Sequence, residues 1–207
     1  MTYIRLHPPE TRELRVRLSK QSTLDVLREY REQDPIALVF ASGCAPGGGW
    51  RASAAGQEED LCRQTKLGSL LESPAAERFY VENRLADAFG TDWCIYAAGV
   101  SVHHETWQAS FVVCAAPNAR LIGAVPDRES RLRQTLNRRA ARIVDIARRH
   151  VHSVLILGAW GCGNHRNDPE HVIDAFAAAL DSTLFEEVIF ALPDPDMYER
   201  FRRLTAV

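Results

Sequence analysis

The chain has 207 residues, a length typical of one domain, and 46% of them are hydrophobic, which is enough for a substantial core. The formal net charge is -2, so the chain as a whole has no general attraction for nucleic acid. Its five cysteines include no CxxC pair, and neither a signal peptide nor a membrane-spanning apolar run is recognisable, so we expect a cytoplasmic protein without a membrane segment.

The spacing of apolar residues predicts strands that alternate with helices. An alternating segment at 13–18 is typical of an edge strand, and Ser22 or Thr23 is a suitable N-cap for a helix at 22–32. Buried strands are predicted at 36–42, 93–98, 110–116, 154–159 and 187–192. Helices are predicted at about 57–71, 74–89, 128–150, 169–184 and after Pro195. This order predicts an α/β fold whose largely parallel sheet has helices on both faces.

Two glycine-rich loops directly follow predicted buried strands. The first runs from Gly43 to Gly49, and the second from Gly158 to Gly163. Ligands of open α/β sheets bind beyond the carboxyl ends of the strands, and glycine lets backbone N–H groups approach an anion closely. Neither loop is a Walker A motif or a GxGxxG motif, which disfavours ATP-type phosphoryl transfer and a Rossmann site. The two loops together predict a diphosphate site, although each alone is compatible with a tight turn.

An acidic segment, Gln57-Glu58-Glu59-Asp60, follows the glycine triplet after the spacer 50–56. Acidic residues often complement the dipole in the first turn of a helix, so the segment alone is weak evidence for function. Carboxylates beside a phosphate-binding loop are electrostatically unfavourable, however, and this indicates a chemical role. Neighbouring helical residues point about 100° apart. One glutamate could therefore bind sugar hydroxyls while the other acts as a general acid or base at a glycosidic bond.

The combined motifs resemble the GGG…QEE signature of poly(ADP-ribose) glycohydrolases, and the similarity is closest to the compact bacterial type within the macrodomain superfamily. The resemblance covers about residues 13–192 and depends on Pro46–Gly49, Gln57–Glu59, Ala115–Asn118 and the segment 154–167. It implies a macrodomain-like three-layer α/β/α fold with a mixed, largely parallel central sheet. It also implies that residues 1–207 form a single ADP-ribose-binding catalytic domain.

The resemblance also implies a role for individual residues. Glu59 would be the catalytic acid/base that protonates the departing oxygen, and Glu58 would bind ribose hydroxyls near the scissile bond. Neither a metal nor another cofactor is implied. The expected partner is ADP-ribose, or a protein, nucleic acid or poly(ADP-ribose) that carries it. The implied ligand-binding residues are Gly47, Gly48, Gly49, Gln57, Gly158, Trp160, Gly161, Cys162, Gly163, Asn164 and His165.

Several alternatives stay open at the level of sequence. The family usually has asparagine and phenylalanine where this chain has Ala45 and His165, so the ADP-ribosylated target could be a protein side chain or a nucleobase. A reader module that binds ADP-ribose without cleaving it is one alternative, and a phosphatase or deacetylase acting on an ADP-ribose derivative is another. Trp160 could pack beneath its loop or against the ligand. The arginines of helix 128–150 could form a solvated face or contact a polyanion.

Overall fold

The structure, a computed structural model, describes residues 14–180 and 185–205. Within these residues six strands form one sheet, and helices pack on both of its faces, as the sequence predicts. The strands are β1 (Arg15–Ser19), β2 (Pro35–Phe40), β3 (Cys94–Ser101), β4 (Gln108–Cys114), β5 (Val154–Gly158) and β6 (Glu187–Ala191). The helices are α1 (Thr23–Glu29), α2 (Gln57–Gln64), α3 (Leu67–Leu71), α4 (Glu77–Leu85), α5 (Arg128–Arg149), α6 (Pro169–Ala179) and α7 (Pro195–Thr205).

Most predicted elements are confirmed, with differences at their ends. Ser22 is the N-cap of α1, where its side chain accepts a hydrogen bond from the N–H of Asp25. The segment 57–71 was expected to form one helix but forms two. Thr65 separates them because its backbone forms an isolated bridge to Val102, the residue that follows β3. Residue 13 of the first predicted strand and residues 181–184 of the helix predicted at 169–184 lie outside the described residues.

The sheet has the strand order β1-β6-β5-β2-β4-β3. Only β3 runs antiparallel to its neighbour, and the other described pairs are parallel, so the sheet is mixed and largely parallel. Side chains of a strand alternate between its two faces. In β2, Ala37 and Val39 pack with α1 to α4, whereas Ile36 and Leu38 pack with α5 to α7. This alternation divides the core into two halves and produces three layers.

The sheet opens between β2 and β5 at its carboxyl end. These strands pair only through Pro35–Ala37 and Val154–Ile156, although they continue to Phe40 and Gly158. The connection after β2 leads to β3 and β4 on one side of the sheet, whereas the connection after β5 leads to β6 on the other side. Such a switch in direction is where open α/β sheets form a ligand crevice. Both glycine loops begin here, because one follows β2 and the other follows β5.

Helix α5 buries the apolar stripe that its sequence predicts, but one arginine departs from the predicted face. Arg139 is 1% exposed. Its guanidinium donates to Asp92, at 2.9 Å, and to the carbonyl oxygens of Ala115 and Phe89. Arg139 is therefore neither a solvated residue nor a contact for a polyanion, and it links α5 to the end of β4. No helix in the described residues is long and apolar enough to cross a membrane.

Candidate functional site

A cavity of about 740 Å³ lies at the crevice between β2 and β5. Its walls are the end of β2, the first glycine loop, the start of α2 and the second glycine loop. The volume lies within the range of about 300–1,000 Å³ that is typical of small-molecule sites. The residues predicted for the site that line this cavity are Gly48, Gly49, Gln57, Glu58, Glu59, Trp160, Gly161, Gly163, Asn164 and His165.

The first glycine loop curves tightly around the two glutamates. Gly48 has a φ of 61°, in the left-handed region that favours glycine. A Cβ at this position would collide with the carboxylate of Glu59. The N–H of Gly49 donates to Glu59 Oε1 at 3.1 Å. Gly47 also has a positive φ but does not line the cavity, so it shapes the turn from behind.

Glu58 is buried, with only 3% of the residue exposed. Its Oε2 accepts a hydrogen bond of 2.7 Å from the N–H of Ser42, and its Oε1 has no hydrogen-bond partner among the described residues. Burial raises the pKa of Glu58 to about 8; the charge of Glu59 adds to this rise, and the backbone N–H groups oppose it. Glu58 is therefore largely protonated at neutral pH and can donate a hydrogen bond.

Glu59 occupies a different environment from its neighbour. It is half-buried in the cavity wall, and its side chain is held by the N–H of Gly49. Two adjacent carboxyl groups thus face one cavity, one deeply buried and one open to a ligand. Different environments are what allow paired carboxyl groups to take different chemical roles.

Gln57 anchors this part of α2 to the sheet. Its Oε1 accepts a hydrogen bond of 2.9 Å from the N–H of Phe40, and its Nε2 donates to the carbonyl of Leu38 at 2.7 Å and to Thr23 Oγ1 at 3.1 Å. The side-chain amide therefore satisfies backbone groups of β2 where β5 has moved away. Although Gln57 lines the cavity, its polar atoms are engaged in positioning the glutamates.

The second glycine loop is supported from beneath by Trp160. This residue is fully buried, and its indole N–H donates to the carbonyl of Cys114 at 2.9 Å. The geometry supports the packing alternative rather than stacking on a ligand. Gly161 has a φ of 72°, and a Cβ there would contact Ala116 and the side chain of Asn167. Asn167 fixes the loop by donating to its carbonyl at Gly161 and to that of Pro117.

Two other predicted residues of this loop lie behind the cavity wall. A Cβ on Gly158 would lie 2.7 Å from the carbonyl oxygen of Ala191, so glycine is needed there for strand packing. Cys162 does not line the cavity, and burial raises the pKa of its thiol to about 12. Both residues shape the loop without reaching the cavity.

His165 lines the cavity at the far end of the loop. Its Nδ1 is buried and has no hydrogen-bond partner among the described residues. Burial and, to a smaller extent, the charge of Arg120 lower the pKa of His165. With its Nδ1 unpartnered among the described residues, the imidazole is placed at the cavity wall to contact a polar group of a ligand.

Sequence reasoning missed several parts of the cavity wall. Ser42 supplies the N–H that holds Glu58, and its position just after β2 was the available signal. Ala116 and Ala159 complete the wall between the loops; both lie in segments that carry the family resemblance, which was the available signal. No group of three or more His, Cys, Asp or Glu side chains in the part of the chain that the structure describes is arranged to hold a metal ion.

Comparisons with known proteins show which family the chain is similar to. The family model for the catalytic domain of microbial-type poly(ADP-ribose) glycohydrolase (PARG) matches residues 3–105. PARG from Deinococcus radiodurans in complex with ADP-ribose is 33% identical, with a TM-score of 0.84 over 93% of this chain and 84% of that chain. No curated protein gave a significant match.

A second organism provides similar structures. PARG from Thermomonospora curvata bound to the inhibitor ADP-HPD is 33% identical, with a TM-score of 0.83 over 92% of this chain and 78% of that chain. Another structure of this T. curvata enzyme has a TM-score of 0.85 at 33% identity, over 93% of this chain and 77% of that one. The fold thus agrees with these structures, and the chain belongs to the microbial-type poly(ADP-ribose) glycohydrolase family.

Proposed function

We propose that this chain hydrolyses the glycosidic bond of poly(ADP-ribose), or of an ADP-ribosylated protein or nucleic acid, and releases ADP-ribose. We further propose that residues 1–207 form one catalytic domain. The main support is a single observation: two carboxyl groups in different environments face one cavity between two glycine loops. Family membership and the ADP-ribose complex of the D. radiodurans relative support the choice of ligand.

The glycine loops suit the diphosphate of ADP-ribose. Gly48 and Gly49 border the cavity on one side, and Gly161 and Gly163 border it on the other. Backbone N–H groups in such loops bind anions without requiring a basic side chain. Asn164 and His165 extend the second wall and would contact the sugar. Gln57 and Trp160 also line the cavity, but their polar atoms are bonded to the protein, and the surfaces are supported from behind by Gly47, Gly158 and Cys162.

Glu59 is proposed as the general acid/base. A general acid must first reach the departing oxygen, and only then does its pKa decide its efficiency. Glu59 is half-buried at the cavity wall, whereas Glu58 is buried with one oxygen held by the N–H of Ser42. Glu58, protonated at neutral pH, would instead donate a hydrogen bond to a ribose hydroxyl.

The reaction would proceed through a sugar cation. Glu59 donates its proton to the departing oxygen as the glycosidic bond breaks, and positive charge develops on the ribose. The diphosphate held by the two loops stabilises this charge. Water then attacks the anomeric carbon and Glu59 accepts its proton, which restores the enzyme.

Release of free ADP-ribose from poly(ADP-ribose) and from ADP-ribosylated protein or DNA tests the proposal. Glu59→Gln should retain binding of ADP-ribose and lose about 10²–10⁴-fold in rate, the usual contribution of a general acid. Asp60→Asn is the matched control, because Asp60 is the next acidic residue of the same turn and does not line the cavity. Equal activity of Glu59→Gln and Asp60→Asn would reject the role given to Glu59.

The same experiment tests the alternative of a reader module. The wall of the cavity contains Ala45 and His165 in place of the asparagine and phenylalanine usual in the family. Calorimetric binding of ADP-ribose without turnover of any ADP-ribosylated substrate would favour the reader.

A cytoplasmic location is also proposed. All five cysteines are free thiols, which is usual in a reducing compartment. Cell fractionation tests the location, and recovery of the protein outside the cytoplasm would contradict it.

A further inference from the structure

Two cysteines face each other on neighbouring strands. Cys94 begins β3 and Cys114 ends β4, and the antiparallel register places the two residues directly opposite each other. Directly opposite side chains of an antiparallel pair point to the same face of the sheet. Both side chains accordingly pack in the half of the core that contains α5 to α7. Both are free thiols in the structure.

The hydrogen bonds at the end of β4 identify the kind of pair that the two residues form. The carbonyl oxygen of Cys114 accepts from the N–H of Ala41 at 3.3 Å and from the indole N–H of Trp160 at 2.9 Å. This carbonyl faces the end of β2 rather than β3, so Cys94 and Cys114 are a non-hydrogen-bonded pair. In such pairs the Cα atoms lie about 4.5 Å apart and the side chains are close together. A disulfide can join this pair, because disulfides connect Cα atoms that are about 4.4–6.8 Å apart.

The two thiols differ in their exposure. Cys114 is 0% exposed, whereas Cys94 is half-buried. Strand β3 lies at the edge of the described sheet, so one of its sides has no neighbouring strand. A small oxidant from the solvent therefore meets Cys94 first, and Cys114 lies behind it as a second thiol.

The surroundings also favour Cys94 as the reactive thiol. The thiol of Cys114 is the largest cause that lowers the pKa of Cys94, against the opposing effect of burial. The charges of Arg142 and Arg139 lower this pKa further, although the charge of Asp92 opposes them. The thiol of Cys94 and burial raise the pKa of Cys114. Cys94 thus forms a thiolate more readily, and the thiolate is the form that attacks an oxidant.

The other cysteines are not placed for this chemistry. Cys44 is exposed in the first glycine loop, outside the strands. Cys62 lies on α2 in the other half of the core, and burial raises its pKa to about 12, as it does for Cys162. In the part of the chain that the structure describes, the strand register pairs only Cys94 with Cys114.

We propose that Cys94 and Cys114 form an oxidation site, at which a hydroperoxide converts the two thiols into a disulfide between β3 and β4. Neither cysteine lines the cavity, so the inference goes beyond the proposed function and does not depend on it. Disulfides of cytoplasmic proteins are usually transient and often redox-sensing. This bond would tie the edge strand to the strand whose last carbonyl holds Trp160 beneath the second glycine loop.

The reaction transfers two electrons from the thiols to the peroxide. The thiolate of Cys94 attacks one peroxide oxygen, so that an S–O bond forms, the O–O bond breaks and the departing oxygen takes up a proton. The sulfur of Cys114 then attacks the sulfur of this sulfenic acid. The S–S bond forms as the S–O bond breaks, and the departing hydroxide leaves as water with the proton of Cys114. The thiols are oxidised to a disulfide, and hydrogen peroxide is reduced to water.

Hydrogen peroxide is the probe, and it is applied to the folded, full-length chain. All proteins carry Cys44→Ser, which removes the exposed thiol that would form bonds between molecules. The test variants add Cys94→Ser or Cys114→Ala. Cys162→Ser is the matched control, because it removes a half-buried cysteine that has no cysteine opposite it in the strand register. Free thiols are titrated and peptides are mapped by mass spectrometry, before oxidation, after oxidation and after reduction with dithiothreitol.

The Cys44→Ser protein should lose two titratable thiols and give one cross-linked peptide that joins residues 94 and 114, and dithiothreitol should restore both thiols. Cys162→Ser should lose the same two thiols. Cys94→Ser should give no such peptide, and its thiols should be lost at least about tenfold more slowly, because a buried thiol is inert. In Cys114→Ala, oxidation of Cys94 should stop at a sulfenic acid that dimedone traps.

The oxidation site would be rejected by a sulfinic acid at Cys94 beside an intact thiol at Cys114, or by a disulfide that involves Cys62 or Cys162. It would also be rejected by thiols that stay unchanged at peroxide doses that oxidise Cys44 in the unaltered chain. Cys94→Ser and the peptide map decide the question even where Cys114→Ala does not fold. None of these measurements uses hydrolase activity, so a failure of the proposed function leaves the test intact.

Discussion

The buried carboxyl of Glu58 should make the stability of this protein depend on pH. Its pKa rises from an ordinary value of 4.5 to about 8 because the group is desolvated in the folded chain. Below the lower value both the folded and the unfolded states hold the proton. Between the two values the unfolded state releases it while the folded state retains it, so folding becomes less favourable as pH rises. Above a pH of about 8 the folded state also releases the proton, and the stability contributed by the protonated carboxyl has been lost completely.

The size of the effect follows from the two pKa values. Each unit of difference between the two pKa values corresponds to about 1.4 kcal/mol in the free energy of unfolding. The stability lost between the two pKa values is therefore at most about 5 kcal/mol, of which about 3 kcal/mol has been lost by pH 7. Glutamine has nearly the shape of a protonated glutamate and does not titrate. Glu58→Gln should therefore gain stability relative to the unaltered protein as pH rises, by up to these amounts.

Urea unfolding measures this difference. The free energy of unfolding of both proteins is determined from pH 4.5 to above pH 8, at constant ionic strength. Asp60→Asn is the matched control because it removes another carboxyl of the same turn that neither lines the cavity nor contributes to the raised pKa of Glu58. A difference between Glu58→Gln and the unaltered protein that stays constant across the window, or that shrinks as pH rises, would refute the reasoning.

Two further predictions concern the frame of the site. Arg139→Met should lower the free energy of unfolding by about 3 kcal/mol, because two buried carbonyls lose their donor; Arg138→Met, which removes an exposed ion pair, should cost less than about 1 kcal/mol, and equal losses in urea titrations would contradict this. Gly48→Ala should weaken ADP-ribose binding at least about tenfold in calorimetry, because its positive φ disfavours alanine and a Cβ collides with Glu59. Gly123→Ala is the matched control, because Gly123 has open space around its Cβ and does not line the cavity, and it should bind within about twofold of the unaltered protein; similar affinities for both variants would show that the first loop can relax.

Much of the architecture could be predicted from the sequence because the signals were local. The alternation of buried strands and helices, the two glycine loops and the first turn with its glutamates each depend on a short stretch of residues. The adjacency of the loops then follows from the general rule for parallel sheets. The motifs and the topology rule together were enough to predict that Glu58 and Glu59 lie at one ligand site.

The remaining features depend on contacts between distant segments. The helical pattern at 57–71 continues through Thr65, and the break comes from a bridge to Val102 that local propensity cannot reveal. The sequence pattern assigns Arg139 to the charged face of its helix. Its burial depends on a hydrogen bond to a carbonyl just after β4, which the pattern cannot show. Trp160 packs beneath its loop rather than against the ligand because its indole N–H reaches a carbonyl oxygen of β4, a contact that the sequence does not show.

The hydrogen bonds of Gln57 to β2 have a consequence for how the catalytic groups and the entrance of the cavity can vary. The side chain of Gln57 is hydrogen-bonded to Phe40 and Leu38, so the turn that carries Glu58 and Glu59 is attached to β2 directly and not only through the spacer 50–56. That spacer, through Ala54, Ala55 and Gly56, forms part of the entrance. Insertions there can remodel which departing groups are admitted, because surface loops tolerate changes in length that a sheet does not. Descendants of such a scaffold can therefore diversify their targets while the bond-breaking groups stay in register.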